Sequence, residues 1–158
     1  MQLGIAGVVV AALVVIFGFA TAIASASAPR MRPMGMNSQQ FVLITLVAIA
    51  SFAGLVTAAV ALRKRADLHK RLMTLGTIAL TSAPIARLPF VRPVGPPAFF
   101  GLTDLFIVAM LVYDLATRRK VHPATIWGGL VIVASQPLRL MISGTPAWLA
   151  FAGWLTNW

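Results

Sequence analysis

Apolar residues dominate this chain in long unbroken runs, and polar residues gather in short clusters between them. Residues 1–29 hold no Asp, Glu, Lys or Arg, and residues 41–62 form a second run without charge. Neither run alternates with a period of two, so the pattern of a transmembrane barrel is absent. About 20 apolar residues are enough to cross a bilayer as a helix. The pattern predicts an all-α, single-domain integral membrane bundle over residues 1–158. Five transmembrane helices are expected at about 3–26, 41–62, 72–88, 98–116 and 123–143, with a short C-terminal interfacial helix at about 146–156. The run Ala24-Ser25-Ala26-Ser27-Ala28 resembles a signal-peptidase site. The apolar stretch before it is too long for a signal peptide and has no basic flank, so it reads as a span.

Proline refines the boundaries. Pro84 removes a backbone donor inside the third run and should kink it. Four of the ten prolines fall in residues 89–97, which predicts a stiff, non-helical loop. Pro123 suits the first position of the fifth helix, and Thr145-Pro146 reads as an N-cap followed by a first-position proline.

Composition agrees with the pattern: 59% of residues are hydrophobic and 10% charged, against roughly 25% charged in a soluble domain. A net charge of +10 would suit nucleic acid if it formed one patch. It does not, so no nucleic-acid partner is expected. Five Lys/Arg lie in residues 63–71 and three in 118–120, while Arg30, Arg32 and Arg92 lie in the alternate loops. Eight against three places both basic turns on the cytoplasmic side. The expected location is a bacterial inner membrane, with the N-terminus cytoplasmic and the C-terminus on the outer, periplasmic face. No cysteine is present, which removes disulfides and thiolate ligands.

Small residues recur every four positions as Gly18, Ala22 and Ala26 in the first span and Ala50, Gly54 and Ala58 in the second. Such stripes let helices approach closely in lipid. They predict a tight contact between these two spans, or a docking face for a protein partner or a second copy. The terminal helix places Trp148, Phe151, Leu155 and Trp158 on one face, flanked by Trp154, which suits a lipid anchor or a partner-docking face.

Three charges fall within spans: Arg87, Asp104 and Arg139. At about 1.5 Å per residue they lie about 20–24 Å from the cytoplasmic end. Intramembrane charges usually face the bundle interior and pair. Asp104 is therefore expected to accept from Arg87, Arg139 or both, with Gln136 and Ser82 helping. One positive charge would be left over, able to hold an anionic lipid headgroup or a ligand carboxylate. A second polar layer, of His69, Arg71, Asp114 and His122, is expected near the cytoplasmic interface. There Asp67 would cap the third span and Asp114 would reach Arg118.

No phosphate-binding glycine loop, HExxH, activated serine or suitably spaced carboxylate pair is present, and glutamate is absent. No catalytic residue and no metal site is assigned. His69 and His122 open spans three and five at similar depth. That is a necessary condition for two axial haem ligands and allows a quinone contact with Asp114. Capping or lipid-phosphate contact is the plainer role.

Asp67-Leu68-His69-Lys70-Arg71-Leu72-Met73 resembles a motif of an uncharacterised family of bacterial multi-spanning inner-membrane proteins. Arg119-Lys120-Val121-His122-Pro123-Ala124-Thr125 and Ser135-Gln136-Pro137-Leu138-Arg139 are similar to its later motifs. The resemblance covers roughly residues 40–155. It implies relatives with further spans and a His-containing turn ahead of the segment corresponding to residues 3–26. This chain begins Met1-Gln2-Leu3-Gly4 without that histidine. The resemblance implies no chemistry. Two functions follow. One is a non-catalytic accessory subunit of a larger membrane complex. The other is a small haem-, quinone- or lipid-binding protein using His69 and His122 or the Arg87, Asp104 and Arg139 group.

Overall fold

The computed structural model describes residues 2–26 and 36–156. Among them are six helices and no strand: α1 (Gln2–Ala26), α2 (Ser38–Ala61), α3 (Ala66–Ile85), α4 (Pro96–Arg118), α5 (Pro123–Ser143) and α6 (Pro146–Thr156). The all-helical reading holds. Four of these helices, α1, α2, α4 and α5, are long and apolar enough to cross a membrane. Of the five expected spans, one is not among them. The exception is α3, whose first six residues include Asp67, Lys70 and Arg71, so its apolar part is short. It is nevertheless a central helix, lying against α2, α4 and α5.

Local chemistry explains the boundaries. The second helix begins three residues before its apolar run because Asn37 and Gln40 form a capping box. The Gln40 amide donates to the Asn37 side chain at 2.7 Å, and the Asn37 amide donates to the Gln40 side chain at 3.0 Å. This satisfies two donors that the helix start would leave open. The fourth helix starts two residues early, at Pro96-Pro97. Its N-cap, Gly95, has φ +79°, a backbone that a side chain would strain. Residues 86–94 form consecutive turns, as the prolines predict, and they carry Val91 into the core. The third helix runs through Pro84 and ends one residue later. Arg119 closes α4 with φ +56°, in the left-handed region where glycine is usual.

The core lies among α2, α3, α4 and α5. Leu75, Ile78 and Ala79 of α3 pack with Ile107 of α4 and Ile132 of α5. A second cluster joins Ile44 of α2 to Val91, Phe99 and Phe100. The first helix stands at the edge and packs chiefly on α2. Ala22 and Ala26 of its small-residue stripe are buried there. The matching stripe of α2 does not meet it, because Ala50 and Gly54 are exposed. The Trp148 indole donates to the Gln39 carbonyl at 2.9 Å and ties α6 to the start of α2.

Among the described glycines the tightest surroundings are at Gly128, a position that the stripes of the first two spans do not signal. A Cβ there would lie 2.6 Å from Leu75 Cδ1, so the end of this buried side chain would have to shift within the core. Gly54 has open space around it. A glycine-to-alanine change in an open helical site gains about 1 kcal/mol, whereas overpacking a core costs about 1–3 kcal/mol. Gly128→Ala should therefore lower the melting temperature in detergent, and Gly54→Ala should leave it equal or higher. Equal shifts for the two would refute this packing.

Candidate functional site

The first turns of α3, the end of α4 and the start of α5 meet at one end of the bundle. Arg71 donates to Asp114 Oδ1 in a buried ion pair. The other carboxylate oxygen accepts from the Thr125 hydroxyl at 2.7 Å and the His122 amide at 3.1 Å. Arg71 is 9% exposed, Asp114 1% and Thr125 0%. Burying an ion pair costs desolvation that only good geometry and extra hydrogen bonds repay. Asp114 has both. Arg71 does not, because its Nε is buried without a partner.

A second pair lies outside the first. Arg118 donates to Asp67 at 2.8 Å, with the Asp67 side chain 60% exposed. The Arg118 guanidinium holds the Asp67 carboxyl below the usual carboxylate range. Arg65 is the N-cap of α3, and Asp67, two residues further on, pairs with Arg118, which corrects its expected capping role. The expected Asp114–Arg118 contact is corrected likewise: each partner pairs across helices instead.

Between α3 and α4 these groups border a groove of about 570 Å³. Its mouth carries Asp67, Lys70, Arg71 and Arg118, and its trough is lined by Ile78, Phe106, Ala109 and Met110. Lys70 makes no ion pair among the described residues.

The histidines serve different ends. The His69 Nδ1–H donates at 2.8 Å to the carbonyl of Ala59, near the C-terminus of α2. The Arg63 amide bonds to Val60 instead, so the Ala59 carbonyl takes its donor from the imidazole. His122 is the N-cap of α5, and its Nδ1 accepts from the Ala124 amide at 3.1 Å. His69 lines a groove against α1 that His122 does not reach. The expected joint layer therefore keeps Arg71, Asp114 and the His122 backbone and loses His69.

The three charges expected within spans also separate. Asp104 accepts from Gln136 Nε2 at 2.6 Å, linking α4 and α5. It pairs with neither arginine, which corrects the expected bridge. Arg87 is exposed and turns back to the Ala83 carbonyl at 2.9 Å. Arg139 is 2% exposed, donates to Ser135 and lies 5.8 Å from the centre of the Phe100 ring. Its Nε has no partner. Ser82 is buried but not joined to this group. On α6, Trp148, Phe151 and Trp154 form a ring ladder. Trp148 faces inward, whereas Phe151 and Trp154 point outward. Trp158 lies outside the described residues.

Comparison with protein-family models, curated proteins and solved structures finds no match to this chain.

Removing one partner of a buried pair costs about 3–5 kcal/mol, because the other charge stays buried. Asp114→Ala should therefore destabilise the protein severely. Asp67→Asn, at a solvated pair, should change its melting temperature little. Thermal unfolding of both variants in one detergent checks this, and equal shifts would contradict the cluster.

Proposed function

We propose that this chain is a non-catalytic, multi-pass membrane protein that holds an amphiphile between its helices. The observation that carries the reading is the α3–α4 groove. It joins a charged mouth to an apolar trough and places Arg71, with one buried donor unused, at the junction. An amphiphile has the same division into polar and apolar parts. Catalysis has few actors in this proposal, because Asp114, Asp67 and Asp104 already hold donors and both histidines are engaged by backbone. Kinship with the bacterial multi-spanning proteins that carry the same motifs is part of the proposal.

In this reading α3 is the fifth span, sheltered by its neighbours. The basic turns at 62–65 and 119–122 lie on the cytoplasmic side, and α6 lies at the outer face of a bacterial inner membrane. The Asp67–Arg118 pair, which brings those two turns to one end, supports the arrangement. A second reading is an accessory subunit of a larger complex. It is favoured by the outward Phe151 and Trp154, 50% and 59% exposed on a helix already anchored by Trp148.

Ala109 is exposed on the wall of the trough, so Ala109→Trp should fill the groove without disturbing the core. Native mass spectrometry of the purified full chain should show retained lipid, largely lost in Ala109→Trp. Unchanged retention would refute the groove as the binding site.

The absence of native cysteine makes the topology directly testable. Lys64→Cys and Lys120→Cys should both react with an impermeant maleimide only from the cytoplasmic side. Labelling from opposite sides would overturn the arrangement.

A further inference from the structure

The mouth of the α3–α4 groove holds more positive charge than its acids offset. Lys70, Arg71 and Arg118 face two carboxylates, Asp67 and Asp114, which leaves one cation in excess. The carboxylates are not equivalent. Asp114 is buried and holds three donors, so it is fixed. Asp67 is held by Arg118 at 2.8 Å and is mostly exposed, so it can leave at little cost. Arg71, which also lines the mouth, keeps its Nε buried with no acceptor. Mouth and trough together span 11 residues of α3, from Asp67 to Ile78, seven of them beyond Arg71. At 1.5 Å per residue the stretch beyond Arg71 is about 10 Å, enough for the upper part of an acyl chain.

We infer that, given the amphiphile-binding reading above, the mouth takes the phosphate of an anionic phospholipid and that Asp67 is its internal competitor. In the empty groove the Asp67 carboxylate occupies Arg118. An arriving phosphate displaces it and engages Arg118 and Lys70 together. Phosphate offers more acceptor oxygens than a carboxylate, and the arginine fork matches its geometry. The displaced Asp67 remains in water, in the first turn of α3, where a negative charge is favourable. A zwitterionic lipid gains less, because its own cation meets Lys70 and Arg118.

The test is native mass spectrometry of the full chain in detergent, titrated with phosphatidylglycerol or phosphatidylcholine. Asp67→Asn should raise phosphatidylglycerol binding roughly three- to fivefold and leave phosphatidylcholine unchanged. Arg118→Gln should lower phosphatidylglycerol binding about tenfold. Ala109→Trp should lower both lipids. Glycerol phosphate, which has the headgroup charge without chains, should compete only weakly; displacement at equal concentration would overturn the lipid assignment in favour of a free-phosphate site. If Asp67→Asn leaves phosphatidylglycerol binding unchanged while Ala109→Trp strips both lipids, the competitor role is overturned and the groove reading stands. If Ala109→Trp strips neither lipid, the groove reading itself falls.

Discussion

An ionised carboxylate withdrawn from water needs donors on both oxygens, and Asp114 collects its own from three chain segments. Arg71 comes from α3, the Thr125 hydroxyl from α5, and the His122 amide from the connection that Arg119 opens. The left-handed turn at Arg119 and the N-cap at His122 are therefore part of the same requirement. Together they aim one backbone N–H at a carboxylate eight residues back. The groove between α3 and α4 exists because this cluster holds its two walls at a set distance at the charged end.

The opposite end uses a different device. There Trp148 reaches Gln39, and the proline-rich turns send Val91 down among Phe99 and Phe100. The midsection relies on close approach, with Gly128 against Leu75.

The helices were legible in the sequence because apolar runs of this length permit little else, and the fifth began where Pro123 said it would. The start of α6 was legible at Thr145-Pro146, whereas the Asn37–Gln40 cap that starts α2 three residues before its apolar run went unread. Partners were harder to read. Asp114 and Arg118 sit one turn apart, yet each pairs with α3. Spacing along one helix reports proximity and says nothing of a neighbouring helix that offers a better-buried donor. Depth had the same weakness for Asp104 and Arg139, which share a level without sharing a direction. Gln136, one turn before Arg139, is the side chain that turns toward Asp104. The α3–α4 groove has no signature in one dimension, because its charged residues belong to two helices separated by more than 40 positions.

Arg139 has a consequence for how the chain is made. It is enclosed without a carboxylate, on the least apolar of the four long helices. In the membrane-spanning reading, inserting such a helix alone is unfavourable, since a charge inside the hydrocarbon region is costly unless it is sheltered by protein. The preceding helix supplies what α5 lacks: the Phe100 ring beside the guanidinium and Asp104 for Gln136. Only residues 119–122 separate the two. In the membrane-spanning reading, α4 and α5 are thus suited to enter the bilayer as one hairpin, the first helix of the pair sheltering the charge of the second, so that the order of translation becomes part of the stability of the product.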